Sequence, residues 1–460
     1  MITLTLFQIA NIMDGKIMGY PLTLSKSYHI YTILTDTRQS APSALFIALK
    51  GNNFDGHNFI TERIKNNGVR AVVVSRLLTI NLPQIVVSDT IIALGKLASW
   101  IRQQLNSTKI LALTGSCGKT TVKEMLHIIL NQCGPTLSTF NNMNNKIGVS
   151  LTLLKLNPKY AFGVIELGAN HPDEISYTVN LTKPEVVLVN NISLSHLEYF
   201  GSLRGVARAK GEIFTGLKNN GIAIINNENN DYFPLWKKML RNKVVWRFSM
   251  KKKTNSNFFA SNIILNSFST SFSIHTPVGV VDVHLSLLGM HNISNAIAAT
   301  ALATAVEVPL AKIRQGLSMI KAFPGRMYPV FLDKDKNKLL LDDSYNANVA
   351  SMNAAAWTLA KMPGYLVMVV GDMAELGVHS VKYHQLVGAT VHNIAEINKV
   401  ISIGILSKNI SRFHSSGEHF YNPVKLSQRL KILLQAYNKI TILIKGSRNA
   451  VLDYIIDTLK

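Results

Sequence analysis

The chain has 460 residues, nearly half of them apolar, which is long for a single hydrophobic core and suits two or three domains. No apolar run reaches the roughly 18 to 20 residues a membrane-spanning helix needs, and two cysteines, Cys117 and Cys133, supply no disulfide framework. The net charge of +22 raises nucleic acid as a partner, but the basic residues are scattered, Lys251-Lys252-Lys253 is the longest run, and no nucleic-acid motif accompanies them. An anionic substrate is expected instead. Asp14 interrupts the N-terminal apolar stretch and no basic leader precedes it, so the expectation is a cytoplasmic protein without signal peptide, membrane span or nucleic-acid partner.

The first segment, residues 1–86, mixes short strands and helices. Its polar residues gather in two places: Asp36 and Arg38 in Thr35-Asp-Thr-Arg38, and Lys50, Asp55 and His57 around Lys50-Gly51 and Asp55-Gly-His-Asn-Phe59. A strand, a glycine turn and a histidine acting as a local cap account for the second cluster, and a loop shaped for a polar ligand accounts for it too.

A helix over Thr90 to Leu105 leads into the apolar strand Ile110 to Leu113, which runs into Thr114-Gly-Ser-Cys-Gly-Lys-Thr-Thr121 and then a helix. Gly115 and Gly118 let backbone N–H groups converge on an anion, at a helix N-terminus whose dipole favours one. Lys119 is then placed for the β- and γ-phosphates of a nucleotide, and the Thr120 hydroxyl for Mg²⁺. The spacing GxxGKTT is shorter than the common GxxxxGK[ST], which favours families that use a short phosphate loop over a generic ATPase.

Strands at Phe162 to Leu167, Val186 to Val189 and Ile222 to Ile225 alternate with helical stretches, predicting a mostly parallel sheet. From Phe268 to Leu287 the apolar period becomes two around Thr276-Pro-Val-Gly279, predicting an antiparallel hairpin that flanks the sheet. Asn292 to Val306 reads as a helix. After Phe323-Pro-Gly-Arg326 the pattern restarts, with strands at Lys338 to Leu341, Leu366 to Val370, Val400 to Ile403 and Ile440 to Ile444. The fold class is therefore α/β in three domains, with a central region at 87–324 and a smaller doubly wound, Rossmann-like domain at 325–460.

Ligands of such sheets gather at the carboxyl ends of the strands. Glu166 ends an otherwise apolar strand, where a carboxylate is costly unless paired or bound to metal. His196 follows the strand end Asn190-Asn191. Lys210, on a predicted helix, reads as a solvated or phosphate-facing charge. Asn292 and Asn295 offer either amides that could read a base or a helix cap. Arg326 stands at the domain junction, placed to meet a phosphate from the neighbouring domain. Because Arg326 and Asp343 lie on a different domain from Lys119, the site is expected to be complete only on closure, starting from an open form.

Together, GSCGKTT, ELGANH, SHLE, ARAKGEIF, HNISN, PGR, DDSYNAN and GDMAELG resemble the Mur ligase family, in an order that extends from Thr35-Asp-Thr-Arg38 to Lys445-Gly-Ser-Arg448. The resemblance implies an N-terminal domain for a UDP-sugar peptide, a central ATPase and a C-terminal Rossmann-like domain. It implies an ATP-dependent ligase that phosphorylates the carboxylate of UDP-N-acetylmuramoyl-tripeptide and lets the amine of D-Ala-D-Ala displace phosphate. It assigns phosphate binding to the loop 114–121 with Lys119, a first Mg²⁺ to Thr120 and Glu166, a second to His196, and to Lys210, carried as a carbamate, the part of an anionic oxygen ligand. Asn292 and Asn295 fall on the adenine side, Arg326 on a phosphate, and Asp343 on the nucleotide. Asp36, Arg38, Lys50, Asp55 and His57 match the sugar-nucleotide end, and Asn142, Asn144 and Asn145 the substrate loop. A monomer is expected.

The chain departs from the family pattern at Asn141, which stands at a glycine position, at Ser150, where proline is usual, and at Pro172-Asp173, where glycine is expected. An alternative from the same chemistry is another short-loop amide ligase similar to folylpolyglutamate synthetase.

Overall fold

Three sheets carry the fold, with a short antiparallel pair, Leu4–Thr5 and His29–Ile30, beside the first. The structure, a computed structural model, describes residues 2–51, 54–448 and 450–460. The first sheet runs in the order Lys16–Met18, Gln84–Val86, Val69–Val74, Ala44–Ile47, Thr32–Leu34 and is parallel except at Lys16–Met18. Ala44–Ile47 is buried throughout, and Val69–Val74 at all but Arg70. Strands covered on both faces must be apolar at successive positions, which is why they read as unbroken runs.

The helix Thr90–Gln104 ties this sheet to the next. Asp89 caps it, Oδ1 accepting from the N–H groups of Ile91 (2.7 Å) and Ile92 (2.9 Å). Its buried face, including Leu94, Leu97 and Ile101, packs on the helices Lys146–Leu154 and Glu174–Thr182. At its start the Thr90 hydroxyl donates to the Ala48 carbonyl of the first sheet at 2.8 Å.

The central sheet has nine strands, in the order Gly279–Leu285, Thr270–Thr276, Phe258–Leu265, Val244–Ser249, Ile222–Asn226, Val186–Val189, Lys109–Thr114, Phe162–Glu166, Thr136–Ser138. Strands from Thr136–Ser138 to Phe258–Leu265 are parallel, and the last two pairings are antiparallel. The hairpin expected from the sequence is thus present, flanking the parallel strands as the continuation of their own sheet. Phe258–Leu265 escapes the sequence reading because a bulge between Ser261 and Ile264, with Asn262 at φ 52°, breaks its alternation.

Lys109–Thr114 lies between Val186–Val189 and Phe162–Glu166, with Val189 level with Thr114 and Glu166 level with Leu113. That register brings the turns after the three strands to one edge, where the phosphate loop sits.

The third sheet runs Tyr328–Phe331, Lys338–Asp343, Ile440–Lys445, Tyr365–Val370, Lys399–Ile403, Glu418–Phe420, parallel except for its first strand. The two outer strands were not legible in the sequence: they are short and partly exposed, and Pro329 sits in one, as edge positions permit.

Candidate active site

Ser116, Cys117, Lys119, Thr120, Glu166 and His196 of the central domain line one cleft together with Arg326, Asp343, Tyr345 and Lys445 of the third. The cleft floor is the loop between the strand Lys109–Thr114 and the helix Lys119–Asn131. Gly118 precedes that helix at φ 75°, a left-handed conformation that a side chain resists. A Cβ there would lie 2.4 Å from Asn295 Oδ1 and 2.9 Å from Asn190 Nδ2, two atoms that are themselves hydrogen-bonded at 3.1 Å. Glycine is therefore required by both conformation and space.

The loop is held from its neighbours. The Cys117 N–H donates to Asn191 Oδ1 (2.8 Å), while Asn190 and Asn191 each donate a side-chain N–H to the Cys117 carbonyl (3.0 Å). Asn292 donates to the Leu288 carbonyl and accepts from Asn295. The two amides predicted for the base side thus also brace the helix start beside Gly118. No side chain caps the helix Lys119–Asn131, so its first N–H groups and dipole face the cleft, as an anion site needs. Lys119 Nζ bonds the Gly115 carbonyl at 2.8 Å, arching over the turn.

Glu166 is buried, and its Oε1 accepts from Asn144 Nδ2 at 2.7 Å. Its Oε2 is buried without a partner among the described residues, an arrangement costly for a carboxylate unless a cation meets it. With the Thr120 hydroxyl on the same cleft, the donors are hard oxygens of the kind Mg²⁺ takes, and they fit that ion. No group of three His, Cys, Asp or Glu among the described residues could cage an ion by itself; nucleotide-site Mg²⁺ draws its other ligands from phosphates and water.

Lys210 corrects the sequence reading of a solvated or phosphate-facing charge. It is fully buried and, among the described residues, its Nζ has no hydrogen-bond partner, only the Phe200 ring 5.7 Å away. Burial first, and then the nearby Lys119 charge, push its pKa down to about 7.

The cleft is closed, so the residues expected to meet only on closure are in contact here. Arg326 Nη2 donates to Thr120 Oγ1 at 2.9 Å, and its guanidinium lies 4.2 Å from the Tyr345 ring centroid. Asn348 Nδ2 donates to Cys117 Sγ at 3.0 Å, and Glu375 Oε2 lies 2.5 Å from His196 Nδ1. These direct contacts, two hydrogen bonds and an ion pair, join the two domains. Asp343 pairs with Lys445 at 2.7 Å and accepts from the Met327 N–H.

Other predicted residues lie outside the cleft lining, those between Asp36 and His57 beside the first sheet. Asp36 and Arg38 pair with each other at 2.7 Å, and this holds the Asp36 carboxyl at about 2. His57 is buried, with Nδ1 2.5 Å from Asp55 Oδ1 and Nε2 accepting from the Ser75 N–H at 2.9 Å, so both ring nitrogens are occupied locally. Lys50 is exposed and forms a backbone bridge with Asp55. Asn145 caps the helix Lys146–Leu154, and Asn142 is exposed. Thr114 is buried beneath the loop, its hydroxyl bonded to the Leu167 carbonyl.

Two departures from the family pattern have a structural account. Asn141 and Asp173 have φ of 47° and 66°, the left-handed region in which Asn and Asp are the best tolerated substitutes for glycine. Ser150 lies inside the helix Lys146–Leu154 and bonds the Lys146 carbonyl at 2.8 Å. Glu375, Asn348, Tyr345 and Lys445 were missed as site residues. All stand in or beside recognised motifs, but nothing in their spacing says which residue of the central domain each will meet.

The chain is similar to known proteins along its whole length. Family models described as Mur ligase family, catalytic domain; Mur ligase middle domain; and Mur ligase, glutamate ligase domain match residues 29–99, 113–303 and 325–448. The UDP-N-acetylmuramoyl-tripeptide--D-alanyl-D-alanine ligase of Escherichia coli strain K12 is 51% identical over 460 residues, covering 100% of this chain and 99% of that protein. A crystal structure of MurF from Acinetobacter baumannii superposes with a TM-score of 0.90 at 34% identity, covering 99% and 98% of the two chains. MurF from Thermotoga maritima in complex with ADP gives 0.81 at 25% identity, covering 93% and 96%. A folylpolyglutamate synthase of Mycobacterium tuberculosis, at 17% identity, shares the fold alone.

Proposed function

The chain belongs to the Mur ligase family, and from that footing we propose that it is an ATP-dependent ligase adding D-Ala-D-Ala to UDP-N-acetylmuramoyl-tripeptide in peptidoglycan synthesis. The observation that carries this reading is the end-to-end likeness to the Escherichia coli ligase. The folylpolyglutamate-like alternative has only the fold in its favour.

A carboxylate is a poor acyl donor and repels ATP, so the site must gather cations around both anions. Lys119, Arg326 and the uncapped helix N-terminus serve the phosphates. The γ-phosphoryl group passes to the tripeptide carboxylate and ADP leaves. The amine of D-Ala-D-Ala then attacks the acyl carbon, loses its proton, and the tetrahedral intermediate expels phosphate. Mg²⁺, when bound, neutralises phosphate charge: Thr120 and Glu166 would hold one ion, His196 and a carbamate on Lys210 a second. Burial of Lys210 favours this modification, because only a neutral amine adds CO₂. Asn292, Asn295 and Asp343 serve the nucleoside side.

In this reading the domains are 1–86 for the UDP-sugar peptide, 87–324 for ATP and 325–460 a Rossmann-like domain that brings Arg326 and Asp343 to the cleft. Asp36, Arg38, Lys50, Asp55 and His57 shape the sugar-nucleotide end, His57 through Asp55 and Ser75, and Asn142, Asn144 and Asn145 the region near Glu166. The enzyme acts as a monomer in the cytoplasm, where ATP and nucleotide-linked sugars are found; no helix of the described residues is long and apolar enough to cross a membrane.

The test is phosphate release from MgATP with UDP-N-acetylmuramoyl-tripeptide, with and without D-Ala-D-Ala, alongside mass detection of the pentapeptide. Release that needs both substrates and yields the product supports the assignment. Turnover only with another carboxylate and amine discards the substrates and keeps the chemistry.

A further inference from the structure

The loop 371–379 of the third domain is built as a rigid arm. Asp372 accepts three backbone N–H groups, from Ile405, Leu406 and Ser407, at 2.9, 3.0 and 2.7 Å. The next two residues are anchored as well: the Met373 N–H donates to His384 Nε2 (2.9 Å) and the Ala374 N–H to Ser447 Oγ (2.8 Å). At the tip, Glu375 has φ 60°, a conformation that a non-glycine residue adopts at a cost.

That tip reaches the central domain at two points. Its carbonyl accepts the Glu198 N–H at 3.2 Å, and its carboxylate lies 2.5 Å from His196 Nδ1, an ion-pair contact in which the ring N–H is not aligned on the oxygen as a hydrogen bond. His196 is itself in the left-handed region, at φ 51°, so both ends of the contact hold unfavourable backbone. Gly377 approaches the same segment, a Cβ there lying 3.2 Å from Glu198 Cα.

We infer that Glu375 is a positioning residue: docked by closure of the third domain, its carboxylate stands against Nδ1 of His196, draws the ring proton to that nitrogen, and leaves Nε2 as the nitrogen with a free lone pair toward the cleft. A carboxylate behind a ligating imidazole sets tautomer, orientation and basicity. Here that carboxylate belongs to a different domain from the histidine. The His196 side of the site is therefore assembled by closure, and ion binding there and domain closure assist one another. The inference rests on the ligase reading for the role of His196.

The experiment uses the full chain and titrates Mn²⁺, followed by electron paramagnetic resonance, in the presence of a non-hydrolysable ATP analogue and UDP-N-acetylmuramoyl-tripeptide. Wild type, Glu375→Ala and Glu375→Gln are compared, with melting curves and steady-state kinetics on each. Glu375→Ala weakens the weaker Mn²⁺ site roughly 10- to 100-fold and lowers kcat more than it changes KM for ATP. Glu375→Gln, which keeps an oxygen acceptor, recovers part of both. Unchanged Mn²⁺ affinity in Glu375→Ala overturns the inference, as does a loss that follows a lowered melting point in both variants alike. Should the wild type form no pentapeptide, the ligase reading fails, while the Mn²⁺ comparison still reports on Glu375.

Discussion

Arg326 donates to the hydroxyl of Thr120 across 2.9 Å, joining residues 206 positions apart and two domains through the residue that follows the phosphate-loop lysine. The guanidinium also lies over Tyr345, which holds its plane. The same hydroxyl serves Mg²⁺ in the proposed reaction, so the guanidinium stands where phosphate charge develops. Arg326→Ala should lower kcat by about 100-fold or more, the scale of losing one preorganised donor, with a smaller change in KM for ATP. Arg326→Lys should recover little, because an ammonium cannot both stack and donate as a planar fork does. Steady-state kinetics decide it; an unaltered kcat would place Arg326 outside the reacting centre.

The phosphate loop, the apolar strand before it and the buried Glu166 were legible because each has a local cause: glycines at a turn, an unbroken apolar run, and a carboxylate where none should be. Contacts between domains were not. His196 and Glu375 were both within recognised motifs, yet their pairing depends on how the third sheet docks, which no local pattern encodes. The burial of Lys210 was hidden for a related reason. Its helix, Leu203–Gly211, carries basic residues that look solvated, and only its packing against the neighbouring helices shows that one of them is not.

Gly118 gives a prediction with an internal control. In Gly118→Ala the new methyl would meet Asn295 Oδ1 and Asn190 Nδ2, and the backbone would also be strained. Gly201 has a similar φ, 70°, with nothing within 4 Å of its would-be Cβ. Gly201→Ala should therefore cost only backbone strain, since φ 70° with ψ −35° lies outside the left-handed helical well, about 1–3 kcal/mol of stability. Gly118→Ala should add to that a loss of ADP affinity of roughly tenfold or more, since it displaces the amides that hold the loop. Calorimetric titration with MgADP separates the two; equal affinities would mean the loop absorbs the methyl.

Lys210, with its pKa lowered to about 7, is mostly neutral above that pH and protonated below it, whereas an ordinary lysine needs a pH above about 10. Carbamate formation joins Nζ to the carbon of CO₂ and releases one proton, so it requires the neutral amine. Incubation with ¹³C-labelled bicarbonate should give a carbamate carbon signal that is strong at pH 8 and fades as the pH falls through about 7. Lys210→Arg should abolish it. A signal that appears only above pH 9, or that persists in the variant, would assign it to another lysine.

His384 anchors the arm that carries Glu375, accepting the Met373 N–H at Nε2 and placing Nδ1 2.7 Å from the Ser380 carbonyl. Burial lowers its pKa, opposed by the Ser380 carbonyl and by Asp372. The folded state thus binds this proton less readily than the unfolded chain, so stability rises with pH through the window between the depressed value and about 6.5. The contribution is complete above about 6.5 and is lost as pH falls through the native value. In a chain of several domains a global unfolding energy is poorly defined, and local hydrogen exchange is the better probe. Corrected for intrinsic exchange rates, protection of the Met373 amide should fall between pH 7 and 5 in the wild type. In His384→Gln, which cannot take up a proton, protection should be lower at pH 7, by about 1–3 kcal/mol for the altered buried hydrogen bonds, and nearly flat with pH. The same acid dependence in both proteins would show that another group controls the arm.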